Sequence, residues 1–325
     1  MPNPVLVEVT RAALVESVHR GAVAVADAGG AIRFALGDIE AVVYTRSALK
    51  PIQVLPLLET GAADAFGVSD EEVALACASH SGEPMHVSRV AAWLDRIGCI
   101  ESDLACGPQA PRYEPAYLEM VRNGEKPSRL HNNCSGKHTG FLTLSKHLQV
   151  STTGYEQVEH QVQQAVLTSL RTLSGVTDPA WGVDGCAAPN FAVPLSAFAR
   201  ALAQIAGRRT VGAERILRAM IKYPELVAGT GRSCTALIRA ARGRAVVKVG
   251  AEGVYAAMLP DAGLGIAIKI DDGTGRAAET AVATMLEKLG AIDSGSDLVC
   301  TPVTNTRGDT VGERRPAKAL VEATI

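Results

Sequence analysis

Aromatic residues are scarce, with Phe, Trp and Tyr together at 4% of 325 residues. So few rings leave no stock for base-stacking platforms. Charge of a single sign is also missing. The net charge is −2, with no basic or acidic block, which excludes a nucleic-acid groove and a membrane-surface patch as expected partners. No apolar run approaches the ~20 residues of a membrane span. The start, Met1-Pro2-Asn3-Pro4-Val5, has neither a basic n-region nor an apolar h-region. A soluble, cytoplasmic protein is the expectation. Cys-x-x-Cys is absent, and the seven cysteines (77, 99, 106, 134, 186, 234 and 300) are odd in number and without framework spacing. Reduced thiols follow, with metal binding open at one or two of them. What is present is 47% hydrophobic residues against 20% charged, ample for a core. A small neutral or zwitterionic substrate suits this balance better than a polyanion.

Strand patterns lie at both ends and helical ones between them. Val5 to Val9 reads as a strand, and residues 21–27 and 31–37 as a hairpin around Gly29-Gly30. Ser69-Asp70-Glu71-Glu72 is a capping-box signature for a helix from Glu71 to about Ala78. Helices are expected over 84–97, 139–148, 155–173, 195–206, 212–222 and 276–289, and strands over 245–249, 253–258 and 265–270. Residues 105–133 read as irregular, 181–190 as a glycine- and proline-punctuated loop, and, within the last stretch, Arg307-Gly308-Asp309 and Glu313-Arg314-Arg315 as solvated turn residues. The pattern suggests a single α+β unit over 1–325, with a helical middle at about 70–225, more than an alternating βαβ sheet.

Several polar segments interrupt apolar surroundings. Ser47 and Lys50 stand three apart between Ala41-Val42-Val43-Tyr44 and Val54-Leu55-Pro56-Leu57-Leu58. At that spacing on a helix, a lysine amine can take the proton of a serine attacking an acyl carbon. Pro51 works against a regular first turn there, because the residue before proline is driven out of the helical region. Ser79-His80-Ser81-Gly82-Glu83, His131 to His138 and Asp184-Gly185-Cys186 are the next three. Lys269 sits within the strand-like Ile266-Ala267-Ile268-Lys269-Ile270, where desolvation would depress its pKa and make it a usable base.

Ser47-Ala48-Leu49-Lys50-Pro51-Ile52-Gln53, Ala78 to Glu83, and His131-Asn132-Asn133-Cys134-Ser135-Gly136-Lys137-His138 together resemble the rhizobial-type (class 3) L-asparaginases, the asparaginase II family. Asp184-Gly185-Cys186 and Lys269-Ile270-Asp271-Asp272-Gly273 continue the resemblance in the same order. It implies a serine β-lactamase/glutaminase-like α+β fold, an antiparallel sheet with helices packed around it, in a homodimer. It also implies hydrolysis of L-asparagine to aspartate and ammonia through two Ser-Lys tandems. Matched motif by motif, Ser47 is the nucleophile with Lys50 its base, and Ser79 with Lys269 forms the second tandem, for which Lys248 is a nearby competitor. A zinc ion on Cys134, Lys137 and Cys186 is implied, suited to positioning substrate more than to attack. Arg46, His80, Asn133 and Asp184 are the candidate substrate contacts, His80 being equally readable as a hydrogen-bonded structural histidine.

The resemblance leaves rivals. A glutaminase differs by one methylene of substrate, a discrimination often of only ~10–200-fold. A penicillin-recognising enzyme is disfavoured by the lack of Lys-Thr-Gly and Ser-Asp-Asn. A non-catalytic amino-acid-binding protein on the same scaffold would bind without forming product.

Overall fold

A computed structural model describes residues 2–325, and the chain divides into two compact units. The first comprises residues 2–48, 192–209 and 237–325; the second comprises 49–191 and 210–236.

The first unit is built on a sheet. Its strands are β1 (Val5–Arg11), β2 (Leu14–Asp27) and β3 (Ile32–Leu36), then, after the short β4 (Val42–Tyr44) and the later β5 (Ala180–Val183) and β6 (Pro189–Pro194), β7 (Val246–Val249), β8 (Val254–Leu259), β9 (Leu264–Ile270), β10 (Thr301–Thr304) and β11 (Thr310–Pro316). The order is β10-β11-β1-β2-β9-β8-β7, with β3 also on β2, and the pairs are antiparallel. Val23 to Ala26, Tyr255 to Met258 and Ile266 to Ile268 are wholly buried, as befits strands covered on both faces. Helix Leu195–Ala206 lies directly on β9. A Cβ at Gly265 would come within 2.2 Å of Ala203 N, so only glycine admits this approach. Helix Gly275–Lys288 runs over β1, β8, β9 and β11.

The second unit is helical around Lys50–Glu59, which packs against Ser135–His147, Gln161–Ser174 and Val211–Lys222. Residues Lys50 to Leu57 of this helix are buried all round. Helix Asp70–Ala76 starts at the expected capping box, with Ser69 Oγ accepting from Glu72 N and Glu72 Oε2 accepting from Ser69 N at 2.8 Å. Among the described residues no helix is long and apolar enough to cross a membrane.

Four segments differ from the sequence reading. Helix Ser135–His147 begins four residues before the expected Thr139, and its fully buried first three turns hide the amphipathic signal. The expected helix from Tyr155 starts at Gln161, where His160 caps it. The stretch 105–133 contains a helix, Glu114–Arg122, with proline in its first turn, and 181–190 is a hairpin, β5 turning into β6. Of the two segments expected as solvated turns, Glu313-Arg314-Arg315 instead lies in β11, which pairs β1, and Arg315 reaches Glu8 at 3.4 Å.

Candidate active site

Ser47 lies in a single 3-10 turn, Arg46–Leu49, and helix Lys50–Glu59 follows at once. Pro51 therefore does what proline does best, opening a helix where its missing N–H costs nothing. Arg46 has φ of 50°, a left-handed backbone that a residue with a Cβ adopts only under constraint. The turn is seated on β7's end: a Cβ on Gly250 would lie 3.2 Å from Thr45 O and 3.3 Å from Ala48 N. Arg46 faces Glu252 at 3.9 Å, and Lys269 donates to Glu252 O at 2.6 Å and to Ile270 O at 2.7 Å. Burial lowers the Lys269 pKa, opposed by Asp271 and Glu252. Lys248 is more deeply placed, fully buried in β7 with its amine donating to Val249 O at 2.8 Å. Strand registry pairs Lys248 with Ala256 and Ala256 with Ala267, so both lysines project from one face of the sheet.

In the second unit Lys50 opens its helix 1% exposed and meets residues from two other segments. Its amine donates to Ala78 O, lies 3.1 Å from Ser79 Oγ and 3.0 Å from Cys134 Sγ, and reaches Asn133 O at 3.4 Å. The amine is thus held between two backbone carbonyls and within hydrogen-bond distance of one hydroxyl and one sulfur. Ser79 follows the end of helix Asp70–Ala76, and its N–H is tied to Val227 O at 3.0 Å.

Cys134 caps helix Ser135–His147, and Lys137 sits in the first turn on the same face. A cation there opposes the helix dipole, and what compensates it is sulfur. Lys137 Nζ lies 3.1 Å from Cys186 Sγ, and both groups are buried. The Cys186 thiol is held well below its ordinary pKa, first by a hydrogen bond from Cys134 and then by Lys137. Cys134 keeps its proton, pushed up to about 12 by that same bond and by burial. Burial opposes a charge on Lys137, yet Cys186 and Cys134 outweigh it and raise its pKa. Cys186 is delivered by the β5–β6 turn, where Asp184 N donates to Ala188 O at 2.9 Å and Ala187 adopts φ of 71°. A Cβ on Gly136 would come within 2.4 Å of Leu75 O, so glycine lets this helix close on helix Asp70–Ala76.

His80 is fully buried with both ring nitrogens engaged. Gly82 N donates to Nδ1 at 3.1 Å, so Nε2 carries the proton and donates to Ser135 Oγ at 2.9 Å. Burial holds its pKa well below the ordinary histidine value. His86, stacked on it at 4.8 Å, has a pKa lowered to about 4, also by burial.

The structure thus gathers Lys50, Ser79, Asn133, Cys134, Lys137 and Cys186 into one contiguous cluster, with Asp184 at its turn. It puts Ser47, Arg46, Lys248 and Lys269 in the first unit. Sequence reasoning missed one neighbour of the cluster. Cys106 is fully buried and its thiol pushed to about 12, by burial and then by Cys134 and Cys186. Among the described residues no group of three or more His, Cys, Asp and Glu could hold a metal.

The sequence model of the L-asparaginase II family matches residues 7–316. Among solved structures, Mglu in its native form is similar at TM-score 0.50 and 14% identity, over 86% of this chain and 66% of that one. The chain thus spans just under two thirds of Mglu's length. This likeness shows a shared α+β fold. A β-lactamase from Mycobacterium bovis is similar at TM-score 0.43 and 14% identity, over 79% of this chain and 89% of that one. No curated protein matches the chain in sequence.

Proposed function

The chain belongs to the L-asparaginase II family, and from that premise we propose that it hydrolyses the side-chain amide of L-asparagine to aspartate and ammonia through a serine acyl-enzyme. The observation that carries the mechanism is the buried Lys50 amine 3.1 Å from Ser79 Oγ, at the head of the helix that follows the strained Ser47 turn. In this reading Ser47 attacks the amide carbon and Lys50 takes its proton, with Ser79 relaying protons through the same amine. The C–N bond breaks as ammonia leaves protonated, and water then splits the ester to release aspartate. Lys248 serves the second step better than Lys269. It is fully buried on the strand against which the Ser47 turn packs, whereas Lys269 is bound to two carbonyls nearer the surface. The two units act as one catalytic unit, and the protein works as a homodimer in the cytoplasm.

A zinc ion held by Cys134, Lys137 and Cys186 belongs to the same proposal. Two cysteine sulfurs and an amine, all buried, with Cys186 bonded to both Lys137 and Cys134, suit zinc chemically once Lys137 has given up its proton. Bound there, the ion would supply a fixed positive charge for orienting polar substrate groups.

The test is a coupled ammonia assay with asparagine and glutamine side by side. Ser47→Ala is expected to abolish ammonia release and to leave circular dichroism unchanged, and Lys50→Met to lower turnover by about 10²–10⁴. Near-normal turnover in Ser47→Ala would transfer the nucleophile to Ser79. Preference for glutamine would make the enzyme a glutaminase.

A further inference from the structure

We propose that Gln109 is a positioning residue, whose side-chain oxygen fixes the Asn133-Cys134 segment against the Lys50 amine. Its effect on turnover rests on the amidohydrolase reading, in which Lys50 is the base; the geometry lies wholly within the second unit.

Two segments hold the Lys50 amine. One gives it Ala78 O and Ser79 Oγ, the other Asn133 O and Cys134 Sγ. His80 N also donates to Asn133 O, at 3.2 Å, so this one carbonyl serves both the Ser79 loop and the amine. Cys134 Sγ donates to Asn133 Oδ1 at 3.0 Å, which makes the sulfur follow Asn133 as well. The placement of Asn133 therefore sets two of the four groups around Lys50.

Asn133 is in turn held by residues 104–112, a segment with neither helix nor strand. Gly107, Pro108 and Ala110 are exposed there, and Gln109 between them is turned partly inward. Its Oε1 accepts from Asn133 N at 2.9 Å. A backbone N–H bonds only an acceptor, so this contact fixes which end of the Gln109 amide faces Asn133. Asn133 lies just before helix Ser135–His147, and its N–H thus finds its acceptor outside the helix, in this side chain. Two residues earlier in the segment, Gly107 O accepts from Asn132 Nδ2 at 2.7 Å, while Asn132 Oδ1 accepts from Cys134 N at 2.9 Å. At its far end Arg112 N donates to Ser81 O at 2.8 Å, and a Cβ on Gly82 would lie 3.2 Å from Pro111 Cα. One irregular segment thus fastens both the Ser79 loop and the Asn133 peptide, the two sources of Lys50's partners. Without Oε1 the Asn133 N–H turns to water, and the carbonyl on the same residue is free to move off the amine. A misplacement of about 1 Å around reacting groups costs on the order of 10²-fold in rate.

The experiment compares wild type, Gln109→Leu and Gln109→Glu by L-asparagine turnover and by residue-resolved amide hydrogen exchange. Leucine removes the acceptor, whereas glutamate keeps it and removes the N–H donors. Gln109→Leu is expected to lower kcat about 10- to 100-fold with KM little changed, and Gln109→Glu to restore most of that loss. In Gln109→Leu the Asn133 amide and the His80 amide should each exchange about fivefold faster, and Gln109→Glu should return both toward wild type. The Ala105 amide, bonded to Tyr155 Oη at 2.8 Å, is the reference that stays unchanged. An unaltered kcat, equal kcat losses in the two variants, or faster exchange confined to Asn133 overturns the proposal. Should wild type release no ammonia while exchange at both Asn133 and His80 answers to the Gln109 acceptor, the hydrolase reading falls and the positioning role stands. Ammonia release, with His80 exchange indifferent to Gln109, would do the reverse.

Discussion

Thr230→Val tests whether the Glu83–Thr230 clasp holds the Ser79 loop in place. Glu83 is 5% exposed and receives two bonds from Thr230, the hydroxyl one at 2.7 Å and the N–H one at 2.9 Å. Valine keeps the shape and the N–H but deletes the hydroxyl. A hydrogen bond to a charged acceptor is worth about 1.5–3 kcal/mol, and because Thr230 itself is exposed the loss should fall at the lower end, ~1.5 kcal/mol. In a Glu83→Gln background the hydroxyl bonds only a neutral amide, so the same substitution should cost ~0.5 kcal/mol. The coupling is therefore about 1 kcal/mol, measurable from urea midpoints of the four proteins in a double-mutant cycle. Equal costs of Thr230→Val in both backgrounds would refute the charge-assisted clasp. A coupling without any change in asparagine turnover would show that the clasp stabilises the loop without positioning Ser79.

Two further outcomes follow from the buried groups. His80 and His86 are held neutral in the folded protein, His86 with a pKa of about 4 against an unfolded value near 6.5. The unfolded chain thus binds more protons below pH 6.5, so stability is complete above that pH and is lost as pH falls toward 4. The slope should approach ~1.4 kcal/mol per pH unit for each histidine. Urea melts at pH 7.5, 6 and 5 measure it, and a flat stability over that range contradicts the tautomers assigned from the hydrogen bonds. Elemental analysis of the purified protein should find about one zinc per chain. Cys134→Ala and Cys186→Ala should lose it and Cys234→Ala retain it; metal retained by Cys134→Ala would remove that residue from the site.

Legibility in the sequence followed the range of the interactions. The β7–β9 meander and the box at Ser69–Glu72 are set by local alternation and capping, and their boundaries fell within about two residues of expectation. β11 could not be read in this way. Thr310 to Pro316 is polar, and becomes a strand because β1, some 300 residues earlier, offers it a partner. In the candidate site, Lys137 and Cys186 come from separate segments and meet at 3.1 Å, a contact that no local pattern specifies. The partner of Lys50 was less accessible. Spacing pointed to Ser47, whereas the amine's serine neighbour in the second unit is Ser79, brought in by packing between helices.

Neither unit is a continuous piece of chain, and this shapes how the protein can be made. During synthesis β1 and β2 emerge first, yet the partners that cover β2's apolar Ala22 to Ala26 and the free side of β1 lie in β9 and β11, at residues 264–270 and 310–316. For most of translation these strand edges have no native partner and are open to pairing with other chains. The contacts that close the sheet span most of the sequence, which places it among slow-forming topologies. Truncation after residue 300 would therefore do more than shorten a tail, because it would leave a finished-looking sheet with its β1 edge unsealed.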